Sequence, residues 1–250
     1  MRALDALAWS SVWVALAAAA LCAASARAMQ GEVPLSAVGL ALFGTLVVYN
    51  VDRLRDLERD RATAPCRSAF IEAHRGAIEG LVAGSALAAG LLALLVGLRA
   101  IAVLAPVLGL GLLHRRLKHV GLAKPFYITL AWLAVTVGLP AVLLEAPAFA
   151  GWVSAVIGAT VLANVVASNL RDGEAASAAL GAHVPLRLAR LGAVGGVLIS
   201  LAAPAPVRPL VVVPLATLAA LVSFHADERY GHVVVDGALL MGAAGALLLL

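Results

Sequence analysis

The chain has 250 residues, of which 63% are hydrophobic and only 13% charged, with a mean hydropathy of +1.01. Soluble domains carry about 45–50% apolar and about 25% charged residues, so a water-facing fold is excluded and lipid must solvate much of the surface. The net charge of +4 does not point to a nucleic-acid partner, because the basic residues sit in short loops between apolar runs; the two cysteines, Cys22 and Cys66, offer neither a disulfide framework nor a clustered metal site.

A hydrocarbon core of about 30 Å takes roughly 20 apolar residues per helix. On that ruler nine spans are predicted, near residues 6–26, 33–51, 76–98, 100–114, 125–144, 147–168, 188–204, 207–224 and 232–250. The expected fold is therefore all-α, a polytopic transmembrane helix bundle forming one domain over residues 1–250. Arg2, the apolar stretch after it and Ala23-Ala24-Ser25-Ala26 share features with a secretory signal peptide. The run is long enough to span, and everything after it is also membrane, so a retained helix is expected. Glycines inside the spans, such as Gly84, Gly90, Gly195 and Gly196, suit close helix–helix approach in lipid.

Charge sets the orientation. With the N-terminus inside, the inner loops hold Arg2, the six arginines from Arg53 to Arg75, Arg115, Arg116, Lys118, Lys124, Arg171, Arg187, Arg190 and Arg229, fifteen in all. Only Arg27, Arg99 and Arg208 fall outside. That asymmetry predicts a cytoplasmic N-terminus, an outer C-terminus and a multi-pass protein of the cell (inner) membrane.

Acidic residues concentrate in one loop after the second span. Asp52, Asp56 and Asp60 are spaced i, i+4, i+8, so a helix continuing from that span lines them along one face. Like charges so placed repel; a bound divalent cation would remove the repulsion, and hard oxygen ligands suit Mg²⁺. The competing reading is a solvated face neutralised by Asp52–Arg55 and Asp56–Arg59 pairs. A second polar cluster, Asn164 and then Ser168-Asn169-Leu170-Arg171-Asp172-Gly173-Glu174, follows the sixth span, four spans later and on the same face. Equivalent clusters in two four-helix halves read as an internal pseudo-repeat that brings both loops to one mouth. The basic loop from His114 to His119 lies on that face too and can serve as a topology anchor or as a phosphate binder. No P-loop, GxSxG elbow or HExxH occurs, and the six histidines read as structural or interfacial.

At these residues the sequence resembles the UbiA superfamily of membrane prenyltransferases, a nine-helix family with Asp-rich motifs after its second and sixth helices. Its first motif runs N-D-x-x-D-x-x-x-D and then x-x-x-x-P-x-R. Asp56, Asp60, Pro65 and Arg67 fall in that register, with Asp52 at the Asn position and Arg53 at the first Asp. A register slipped to Asn50 breaks the Pro and Arg match. The second motif, D-x-x-D-x-x-x-D, is met by Asn169, Asp172 and Ala176, with Glu174 as an internal acid. The basic loop is similar to the family's Y-x-x-x-K, with His114 for Tyr and Lys118 retained.

The resemblance implies transfer of an isoprenyl group from a prenyl diphosphate to a lipophilic acceptor, aromatic ones included, within membrane lipid and with Mg²⁺ assisting departure of the diphosphate. Asp56 and Asp60 are then the catalytic pair, and Asp52, Asp56, Asp60, Asn169, Asp172 and Glu174 the metal set. Arg67, Lys118 and Arg171 would bind the diphosphate, while Tyr49, Phe126, Tyr127 and Trp132 lie near the same level. The changes at Arg53, His114 and Ala176 motivate an alternative, a non-catalytic relative that binds isoprenoid or scaffolds other enzymes. A transporter is disfavoured, since these spans lack ionisable groups at the midplane.

Overall fold

The first apolar run does not form a single helix. Ser11 has φ +63°, a left-handed conformation that non-glycine residues seldom adopt, and it splits a short α1 (Ala3–Trp9) from α2 (Val12–Gln30). The first span accordingly begins six residues later than its hydropathy predicts. The computed structural model describes residues 3–30, 32–117, 123–144, 147–171, 181 and 183–250, and these contain helices and turns but no strand.

After α2 come α3 (Leu35–Arg55), the single turn α4 (Leu57–Asp60), α5 (Pro65–Ala73), α6 (Arg75–Val96) and α7 (Leu98–Leu117). Then follow α8 (Ala123–Leu133), a π-helical turn (Ala134–Gly138), α9 (Leu139–Leu143) and α10 (Ala150–Arg171). The chain ends with α11 (His183–Ala202), a 3₁₀ turn (Arg208–Val211), α12 (Val212–Val222), a second π-helical turn (Tyr230–Val235) and α13 (Asp236–Leu249). The breaks have local causes. Gly97, at φ +84°, ends α6 in a conformation open to glycine and turns the chain into α7. Pro65 opens α5 at a position where its missing N–H costs nothing. The first π turn lies just ahead of Pro140, whose ring would otherwise meet the carbonyl four residues back.

Among the described residues seven helices are long and apolar enough to cross a membrane: Val12–Met29, Leu35–Arg55, Arg75–Val96, Ala123–Leu143, Ala150–Arg171, His183–Ala202 and Tyr230–Leu249. The chain is thus a multi-pass membrane protein. The fourth and eighth predicted spans correspond to the shorter apolar helices Leu98–Gly111 and Arg208–Val222.

α2 occupies the middle of the bundle. It touches α3, α13, α9 and the first π turn, while α3 packs on α6, α7 on α9, α8 on α10, α10 on α11, α11 on α12 and α12 on α13. Two thirds of the apolar stretch of α2 is buried, against 11% of α6, so α2 is core and α6 faces lipid. Alanine makes that position possible: Ala15, Ala17, Ala18, Ala24 and Ala28 are all but inaccessible. Lipid tails are as apolar as leucine, so close packing rather than expulsion from water holds such helices together. At Gly242 an added Cβ would sit 2.7 Å from Val213 Cα, which puts the backbones of α12 and α13 in contact. Three buried hydroxyls bond to carbonyls of the preceding turn. Thr136, Thr160 and Ser200 each donate to the carbonyl four residues back, at 2.8 Å.

Candidate functional site

Polar groups gather at one end of the bundle, where α3, α10 and α13 meet α1 and α5. Asn50, fully buried near the end of α3, donates to the carbonyls of Ser10 and Leu46, 3.0 Å each, and accepts from Ser11 Oγ at 3.0 Å. It therefore locks the break between α1 and α2. Arg53 sits one turn further on and is also buried; its Nη1 donates to the Ala8 and Trp9 carbonyls at 3.2 and 2.7 Å, capping α1. Asp5 holds Arg229 at 2.7 Å, and Trp9 packs on Phe70 of α5 with ring centroids 5.8 Å apart. α1 is thereby seated across this end. The arginine standing where the family motif has its first Asp serves this closure.

The three aspartates of the first motif lie on a helix that bends. α3 ends at Arg55, and Asp56 (φ −101°, ψ 9°) marks a bend before the turn Leu57–Asp60. Helical hydrogen bonds nonetheless run from the Asp56 N–H to Asp52 O and from the Asp60 N–H to Asp56 O, both 2.9 Å. Asp52 is half-buried. Asp56 is buried and pairs with the exposed Arg59 at 2.7 Å; Asp60 stands 3.9 Å from the same guanidinium. Both carboxylates thus share one cation. Burial pushes the Asp60 carboxyl above its ordinary pKa, against the pull of Arg67 and Arg59.

Arg67 is the best-anchored cation of the group. The Glu228 carboxylate caps the start of α5, accepting from the backbone N–H of Cys66 at 3.1 Å and of Arg67 at 2.6 Å. Arg67, 8% exposed, donates through Nη2 to Asp60 Oδ2 at 2.8 Å and through Nη1 to His232 Nε2 at 2.8 Å. Its Nε is buried without any partner, as are Ser68 Oγ beside it and Trp9 Nε1. A buried donor left unsatisfied costs about 1–3 kcal/mol.

From the other side comes Arg171, the last residue of α10. Its Nη1 lies 3.3 Å from His232 Nδ1, and Asp236 Oδ2 lies 3.4 Å from that nitrogen. Guanidinium groups only donate, so a neutral ring can accept from just one of the two; with the proton on Nδ1, towards the Asp236 carboxylate, Nε2 accepts from Arg67 at the shorter distance and Arg171 stands beside Nδ1 without a hydrogen bond to it. Trp13 Nε1 and Asn164 Nδ2 pin the second π turn by donating to the carbonyls of Val233 and Val235 at 3.2 and 3.0 Å. Single π turns inside α-helices are frequent at functional sites. Gly231 in this turn carries no side chain, and a Cβ there would land on Arg171 Cδ.

Arg67 and Arg171, expected from the two motifs, therefore meet at one residue, His232. Asn169 is buried on α10 two residues before Arg171. Lys118, Asp172, Glu174 and Ala176 lie outside the described residues. Among the described residues no three His, Cys, Asp or Glu side chains stand together as a ready-made metal cage. Asp56 and Asp60 do suit a hard divalent cation, being two carboxylates already gathered on one positive charge. Trp132 Nε1 donates to the Tyr49 hydroxyl at 3.2 Å at the buried aromatic level, whereas Phe126 is exposed. His232 and Asp236 escaped the sequence reading, although their i, i+4 spacing at the head of an apolar run puts both on one helix face. No family model, curated protein or solved structure matches the chain.

Proposed function

We propose that the chain is an integral-membrane prenyltransferase of the UbiA kind, moving an isoprenyl group from its diphosphate to a lipophilic acceptor. One observation carries the reading: Arg67 from the first motif and Arg171 from the second approach opposite nitrogens of one buried imidazole, at 2.8 and 3.3 Å. Two motifs separated by about a hundred residues thus contribute cations to one point, as a shared diphosphate requires. In this reading the two shorter apolar helices complete nine spans, arranged as two four-helix halves and a ninth helix. The mouth faces the cytoplasm, with the N-terminus inside and the C-terminus outside the inner membrane.

Arg67 and Arg171, with Lys118 from the basic loop, bind the diphosphate through charge-assisted hydrogen bonds. Asp56 and Asp60 would hold Mg²⁺, helped by Asp52, Asn169, Asp172 and Glu174. When bound, the metal supplies neutralising charge for the departing diphosphate. Tyr49 and Trp132, hydrogen-bonded to each other below the mouth, keep the prenyl chain in a dry, aromatic environment. The second reading, a relative that binds isoprenoid without turning it over, is favoured by the pairing of Asp56 with Arg59 and of Asp60 with Arg67, and by Arg53 at an acidic motif position.

The test is diphosphate release by purified protein given Mg²⁺, a panel of labelled prenyl diphosphates and host lipid extract. Release by wild type, abolished in Asp56→Asn and Asp60→Asn at unchanged folded yield, is expected. Binding without release selects the second reading. Neither binding nor release removes both.

A further inference from the structure

Within the site just proposed, the residue holding Arg67 is an imidazole, and its chemistry has a consequence for anion binding. A buried arginine needs acceptors, and carboxylates are the usual ones. Asp60 provides one such acceptor to Nη2, while the other terminal nitrogen donates to His232 Nε2. That neutral nitrogen fixes the guanidinium without cancelling its charge. Three guanidiniums, those of Arg53, Arg67 and Arg171, act electrostatically on the His232 ring, and Asp236 faces its far nitrogen. Arg67 Nε stays buried with no partner, a donor that a ligand oxygen would satisfy.

We propose that His232, on the π turn of the last span and oriented by Asp236, is a positioning residue that holds Arg67 in place without adding a second negative charge to the one Arg67 already meets at Asp60. Gly231 completes the device, because the space where its Cβ would be is taken by the Arg171 side chain. The last helix thus contributes to the anion site although neither Asp-rich motif lies on it. This inference rests on the diphosphate reading above.

The experiment is equilibrium binding of inorganic diphosphate to purified full-length protein, wild type against His232→Gln, His232→Glu and Gly231→Ala. Glutamine and glutamate have the same size and both offer an oxygen to Arg67; they differ in charge. Gln should bind within about threefold of wild type and Glu about tenfold or more weakly, as expected when one charge-assisted bond is lost. A purely structural role for His232 would move the two variants together. Gly231→Ala leaves the imidazole intact and should weaken binding about tenfold by displacing Arg171. That variant keeps the proposal testable if the His232 variants fail to fold. Diphosphate bound equally by all four proteins, or lost equally in the Gln and Glu variants, overturns the positioning role while the site reading survives. Absence of binding by wild type overturns both.

Discussion

At the scale of single residues, buried polar side chains at one end of the bundle do most to fix its form. Asn50 satisfies two carbonyls and one hydroxyl at the break between α1 and α2. Asn50→Leu keeps the volume but strands Ser10 O and Ser11 Oγ, and should cost about 2 kcal/mol or more. Thermal unfolding in detergent should show a clearly lower midpoint, and an unchanged midpoint would refute the assigned hydrogen bonds. Asn50 is therefore spent on structure. Asp56, Asp60 and Arg67 lie close together along one helix and loop, so sequence spacing alone groups them. His232 was hidden, since its importance comes from Arg67, 165 residues away in the chain. A lone histidine in an apolar run gives no local sign of such a partner.

Among elements, hydropathy located the helices well, since a run of apolar residues must be helical in lipid to satisfy its own backbone. The interruptions were less visible. Ser11 at φ +63° and the two π turns depend on tertiary partners, such as Trp13 and Asn164 donating to carbonyls of the second turn. Only Pro140 signals the first π turn in the sequence itself. The contact of α12 with α13 at Gly242 gives a direct test. Gly242→Val must push the added side chain against Val213 Cα and the Val212 carbonyl, both backbone atoms that cannot rotate away. Overpacking of this kind costs about 1–3 kcal/mol, so the variant should melt earlier while Gly90→Val, with open space around it, should not. Equal midpoints for the two variants would mean that α12 and α13 are not in backbone contact.

For the whole molecule, the expected separation of charge is read from where Lys and Arg fall along the chain, because few charges lie inside the apolar runs. Arg53, Arg67, Arg171 and Arg229 share one end of the bundle, while Arg27 Nη2 donates to Leu250 O at the other, at 3.3 Å. The two native cysteines report on orientation without mutation, Cys66 being exposed and Cys22 buried. A membrane-impermeant maleimide should label Cys66 in inside-out vesicles and leave right-side-out vesicles unlabelled. Labelling only from the outer side would invert the proposed topology. What the sequence could not convey is the meeting of Arg67 and Arg171 at His232, on a helix distant in the chain from both. Competition binding tests it most directly, using a labelled prenyl diphosphate on the purified protein with inorganic diphosphate or the matching prenyl alcohol as competitor. Displacement by diphosphate, weak displacement by the alcohol, and loss of binding in both Arg67→Ala and Arg171→Ala are expected. Displacement by the alcohol alone, or full binding in either arginine variant, would contradict it.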